Sequence, residues 1–243
     1  MYKRQDAGTI TTITNPKTGI TSVTNAASFE GGRNTETDDE FRARYYVSTD
    51  FAGGVNLDAI IAAIYENVEA VIAVTGEEND TDETNASGLP PHSIELVVYG
   101  GLDEEIAKAI HRRKGAGIQT YGNVTVPVVD AAGNIKNISF SRPAPVNVWV
   151  KVFNLQTDST FPLDGIEQIK QRLTEYIGSD TRGGLNIGQN VICVALPTEV
   201  FKVQGVVDFD LQISPDGETY SWKNITIAAR EKAVTNEEMV VVE

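Results

Sequence analysis

A chain of 243 residues with 41% apolar and 22% charged side chains can bury a hydrophobic core, yet no apolar run approaches the roughly 18 residues that a membrane span needs. Its 34 acidic against 20 basic residues give a formal net charge of −14, which repels phosphate backbones and makes nucleic acid a poor partner, while suiting a basic protein surface. A single cysteine, Cys193, excludes an internal disulfide and a thiolate zinc cluster, and two distant histidines, His92 and His111, make no metal site at a recognised spacing.

The first residues, Met1 to Asp6, lead into polar, Thr-rich sequence rather than an apolar signal core, so secretory export is not expected. Residues 9 to 24 predict a β-hairpin, with β-branched limbs at Thr9–Thr14 and Ile20–Thr24 and a turn at Asn15-Pro16-Lys17-Thr18-Gly19. Its apolar content is thin, and a lone hairpin is marginal in water. It reads either as a loose tail or as an arm that adds to a neighbouring subunit's sheet.

Thr37-Asp38-Asp39-Glu40 has the form of a capping box opening a helix. Gly53-Gly54 forces a bend, and Asn56 is placed to cap a second helix whose Leu57, Ile60, Ile61, Ile64 and Val68 form an apolar stripe. Val71–Val74 follows as a buried strand. The acidic stretch Glu77, Glu78, Asp80, Asp82 and Glu83 lacks the EF-hand pattern and reads better as a solvated loop than as a calcium site.

Ser93–Tyr99 predicts a strand, and Gly100-Gly101 leads into a helix from Asp103 to Lys114. Strand, paired glycines and helix invite a phosphate-binding reading, but Asp103, Glu104 and Glu105 put three negative charges where the anion would sit. The same charges complement the helix dipole, as do His111, Arg112, Arg113 and Lys114 at the other end. Strands are expected at Val124–Val129 and Ile135–Phe140. A long strand then runs from Val146 to Leu155, with Val146, Val148, Val150 and Val152 on one face and Trp149, Phe153 and Leu155 on the other. Trp149 and Phe153 are candidate interface residues, because neither ring belongs in water.

Pro162 opens a helix with Ile166, Ile169, Leu173 and Ile177 in phase, ended by Gly178. Gly183-Gly184 comes next, then a short helix broken before Pro197, a strand through Val203 to Ile213, and a tight turn at Ser214-Pro215-Asp216-Gly217. Cys193, within Val191–Val194, reads as a small buried apolar side chain. Gly53-Gly54-Val55-Asn56-Leu57 and Gly183-Gly184-Leu185-Asn186-Ile187 are similar phrases, each set between an amphipathic helix and a helix followed by a strand. That order, helix, hinge, helix, strand, points to a duplicated unit. The fold class expected is α+β, with mixed sheets and packed helices. Residues 1–29 form the hairpin arm, 30–141 a first half containing a strand-helix-strand unit, and 142–243 a second half. Gly53, Gly54, Gly100, Gly101, Gly183 and Gly184 are the structural hinges.

Several segments in order then resemble the baseplate J-like family of contractile phage tails. They are Asn34 to Arg44, Glu78 to Thr81, Gly88 to Ile94, Val98 to Ile110, Gly117 to Gly122 and Phe140-Ser141-Arg142-Pro143. The resemblance implies a baseplate wedge component in a phage, prophage or injection-machine tail. It would be assembled in the bacterial host cytoplasm, associate in a ring and bind other baseplate proteins. It implies no catalytic residues, no cofactor, no metal and no membrane insertion. Two other classes stand beside it. A tail-tip host-surface binding module would normally carry fibrous repeats or heptads, and neither occurs. A tail-associated glycan hydrolase would need two carboxylates roughly 5 to 9.5 Å apart at a sugar site, and the 7% aromatic content leaves few platforms for sugars. Ser-His-Asp chemistry has only the adjacent His92 and Ser93 and no Gly-x-Ser-x-Gly elbow.

Overall fold

The computed structural model describes residues 7–14, 19–28, 41–42 and 55–243. Gly53-Gly54, the capping box at 37–40 and the hairpin's connecting residues 15–18 lie outside the described residues. The architecture is α+β, with helices packed against several small sheets.

Asn56 caps α1 (Leu57–Asn67), its side chain accepting from the Ala59 amide at 3.0 Å, and Ile60 and Ile64 turn inward. β1 (Val71–Asn79) pairs antiparallel with β2 (Ser93–Gly100). α2 (Asp103–Arg113) then carries the chain over to β3 (Gln119–Tyr121), which lies parallel to β2, so the strand-helix-strand unit closes one three-stranded sheet in the order β1-β2-β3. β4 (Val124–Val129) and β5 (Ile135–Phe140) form an antiparallel hairpin. Ile138 and Phe140 on β5 join Leu96, Val98, Ile106 and Ile110 in the first buried cluster.

β6 (Ala144–Asn147) and β7 (Trp149–Thr157) replace the single long strand expected from Val146 to Leu155. The chain changes partner at Val148. β6 lies parallel to β9 (Glu231–Val234), while β7 sits between β10 (Val240–Val242) and β8 (Val206–Ser214). Val148 itself donates its amide to Val234, and Val150 donates to Met239. A second correction concerns Leu155. Asn154 takes φ +55 and the β7–β8 register slips between Phe153 and Gln156, so a bulge inverts the alternation. Leu155 therefore packs on the core with Val148, Val150 and Val152, not beside Phe153.

α3 (Gly165–Ile177) buries Ile169, Leu173 and Ile177 against that sheet. Helix α4 (Leu196–Val200) follows a single turn at Cys193–Ala195 and contains Pro197 instead of stopping before it. A proline in the first turn removes an amide that has no helical partner anyway. The order helix, Gly-Gly, helix, strand thus runs through α3, Gly183-Gly184, α4 and β8. Around the matching phrase at Gly53-Gly54, the described members are Phe41-Arg42 in helix, α1 and β1. Asn186 does not repeat the Asn56 cap, because residues 186–192 are irregular.

The two buried clusters meet along a seam that carries charge. Glu95 on β2, 3% exposed, accepts from Arg230 Nε and from Nη2 at 2.6 Å, and from the Ser141 hydroxyl at 2.6 Å. Lys232 on β9 is fully buried, donates to the carbonyls of Gly183 (2.7 Å) and Leu185 (2.6 Å), and lies over the Tyr99 ring. Arg230→Met leaves the Glu95 carboxylate buried without its cation. It should cost about 3 kcal/mol, the lower end for a broken buried pair because Arg230 keeps some solvent. Arg230→Met with Glu95→Leu should recover most of that loss in urea unfolding.

The Ser214–Gly217 turn gives a second expectation. Asp216 accepts from the Ser214 hydroxyl at 2.6 Å and from the Glu218 and Thr219 amides at 2.9 Å, which lowers its pKa from 3.8 to about 2. The folded form holds this proton less tightly, so the contribution is present above pH about 4 and is lost as pH falls towards 2. Melting temperatures of the wild type and Asp216→Asn should differ at neutral pH and converge across that window.

Candidate interaction surface

The conspicuous surface feature is a cleft of about 400 Å³ along one edge of β8. Residues Asp208 to Gln212 line it in succession, and their side chains alternate across the sheet, so the cleft straddles the strand instead of lying on one face. Phe201 and Phe209, with ring centroids 4.9 Å apart, line it together with Phe153, which is paired opposite Asp210 on the other face, and Trp222. Phe201 is 53% and Trp222 50% exposed. Asp208 and Asp210 give the cleft an acidic rim.

That edge of the sheet is open. In the order β10-β7-β8, β8 is terminal, and only Ile213 is bridged on the outer side, to Ser221. Ile213 exchanges both backbone hydrogen bonds with Ser221. By alternation, the amides and carbonyls of Leu211 and Phe209 face the same way, towards the cleft, whereas at Val207 the β7–β8 register slips and the alternation ends. The Phe209 amide is met by the carboxylate of its neighbour Asp208 at 2.9 Å, and no strand pairs here among the described residues. Charged side chains on an open edge are a standing defence against indiscriminate pairing.

Of the two rings singled out from sequence, Phe153 lines the cleft and Trp149 does not. Trp149 is half-buried under the Ser214–Gly217 turn, where a Cβ on Gly217 would come within 3.1 Å of the indole. Phe201, Phe209 and Trp222 escaped the sequence reading. The run Val207-Asp208-Phe209-Asp210-Leu211 does alternate apolar and acidic residues, the signal of a strand with two unlike faces.

The glycine hinges divide. Gly100 and Gly101 take φ +82 and +72, and a Cβ on Gly100 would stand 2.3 Å from the Ala70 carbonyl oxygen. Arg142 holds this turn from the far side of the chain. Its guanidinium donates to the carbonyls of Val98 (3.0 Å), Gly100 (2.5 Å) and Gly101 (2.7 Å), pairs with Asp103 at 2.6 Å and lies over the Phe140 ring. Gly184 has φ +60 and Gly183 does not enter the left-handed region.

The remaining polar candidates turn elsewhere. His92 Nε2 pairs with Asp82 at 2.9 Å, whereas the Ser93 hydroxyl donates to the Pro90 carbonyl at 2.6 Å, so the two neighbours face different partners. Glu77 and Glu78 belong to β1 and not to the loop. Among the described residues, no group of three or more His, Cys, Asp or Glu is disposed to hold a metal ion. Cys193 is buried, and desolvation pushes its thiol up to about 11.

No protein-family model matches this chain, and no curated protein does.

Exposed rings contribute little to folding. Phe201→Ser and Trp222→Ser should each change stability by no more than about 1 kcal/mol, against 2–5 kcal/mol for Leu173→Ala in the core, as read by urea unfolding. Equal losses from all three would make the cleft part of the core.

Proposed function

We propose that this protein is a non-catalytic structural component of a contractile tail baseplate, working through contacts between subunits. The observation that carries this reading is what the resemblance residues do. Gly100, Gly101, Asp103, Phe140 and Arg142 come from two separate resemblance segments and assemble into one clamp of hydrogen bonds, an ion pair and a ring contact. Positions that match the baseplate J-like pattern are thus occupied with backbone shape, as expected of a scaffold, and the clamp's guanidinium has its donors committed to the chain itself. The open-edged aromatic cleft adds independent support. Apolar rings gathered at an unpaired strand mark a surface built for protein contact.

On this reading the protein sits in the baseplate of the virion tail after assembly in the host cytoplasm, with other baseplate proteins and further copies of itself as neighbours. Electron microscopy of purified tail particles carrying a tagged copy is the test. Label in a ring around the tube at the baseplate is expected. Label at the distal tip would replace the reading with a host-surface binding module. Particles that lack the protein, or cell-wall glycan turnover abolished by changing one carboxylate pair, would end it.

A further inference from the structure

We propose that the open edge of β8 receives the N-terminal arm, residues 9–24, of a second copy of this chain as an added strand. The proposal rests on the reading that the chain works through contacts between subunits, and it names the segment and the edge that make one of them.

Three properties of the arm match the cleft. The first is spacing. Ile10 and Ile13 stand three residues apart, as do Ile20 and Val23, so in an extended limb each pair points to opposite faces. The Gly8 amide donates to the Asn25 carbonyl at 2.8 Å, bringing the limbs together. No strand ladder forms among the described residues of 9–24, and the Ile10 amide donates to Asn25 Oδ1. If the Gly8–Asn25 register were extended on docking, it would set Ile10 opposite Val23 on one face and Ile13 opposite Ile20 on the other. A hairpin with one apolar pair on each face gains little from lying on a flat surface. It suits a slot with apolar groups on both faces, as Phe209 with Phe201 on one face of β8 and Phe153 on the other provide, with Trp222 also lining the cleft.

The second property is charge. The arm itself, residues 9–24, carries one charged side chain, the basic Lys17, and Lys3, Arg4 and the single acid Asp6 precede it, in a chain where acids outnumber bases 34 to 20. The rim of the cleft is Asp208 and Asp210. These carboxylates repel another copy of the acidic β8 edge and attract the basic arm, which discriminates between the two ways that copies could pair.

The third is that both surfaces remain exposed within one chain. Ile20 and Val23 are exposed in the arm, and Val207 at the edge is 56% exposed. Beyond the Ser221 bridge, Leu211 and Phe209 turn backbone groups outward, with the Phe209 amide held by Asp208, and a limb such as Thr9–Thr14 is long enough to pair with that stretch.

The test uses the full chain. Wild-type protein should self-associate with concentration in sedimentation. Ile13→Asp with Ile20→Asp in the arm, or Phe201→Ser with Trp222→Ser at the edge, should each weaken association by about tenfold or more, the loss expected for a central anchor. Both edge substitutions are at exposed rings, so the β7–β8 ladder stays untouched. Mixing the arm variant with the edge variant should restore pairs and nothing longer, since one good arm then meets one good edge. Ile13→Cys in one copy and Val207→Cys in another should form a mixed disulfide on oxidation, without interference from the buried Cys193.

A monomer at all concentrations overturns the proposal, as does a disulfide that closes within a single Ile13→Cys, Val207→Cys chain. Association that neither set of variants alters also overturns it, but leaves the subunit-contact reading standing. That reading fails separately, on particles that lack the protein.

Discussion

Two buried charges lie where the halves of this molecule meet, and the one on Glu95 is answered from across the seam. Glu95 belongs to the first sheet and finds its cation in Arg230. Lys232, on β9 in the second half, lies over Tyr99 of the first sheet. Removing a carboxylate and an ammonium from water is expensive unless geometry returns most of the cost. The two halves must therefore meet in one relative position, because a slip would strand the Glu95 carboxylate. Hydrophobic contact alone would tolerate small displacements. The same lysine draws in the Gly183 and Leu185 carbonyls, which holds the turn after α3 against the neighbouring backbone.

A comparable logic governs the first half. The Gly100-Gly101 turn uses backbone angles that other residues seldom adopt, and it leaves carbonyls pointing away from the sheet. Arg142 collects those carbonyls with one planar group and anchors itself to Asp103 at the start of α2. The turn, the helix and the end of β5 are thereby fixed as one body. Asp103 serves twice, as partner to the guanidinium and as a favourable charge at the helix N-terminus.

Local rules made much of the fold legible. The Asn56 cap, the dipole-matched ends of α2 and the strands of the β4–β5 hairpin follow from residues within a few positions of each other. The failures share a cause. Whether Val148 continues one strand or changes partner depends on β9, more than 80 residues away. The bulge at Asn154 depends on the register of β8. Arg230 and Lys232 look like ordinary surface cations in sequence, because nothing nearby announces the carboxylate or carbonyls that wait for them. Of the cleft, Phe153 was visible as an outward ring, but Phe201 and Trp222 join it only once α4 and the turn after β8 are in place.

The seam also has a direction in time. Every residue that completes the second half lies far along the chain: Arg230 and Lys232 at the junction, and β10 pairing back onto β7. During synthesis the first sheet can therefore form while the strand that will sit beside β10 waits without its partner. The Glu95 carboxylate stays hydrated until Arg230 has cleared the ribosome, so docking of the two halves is a late event in biogenesis.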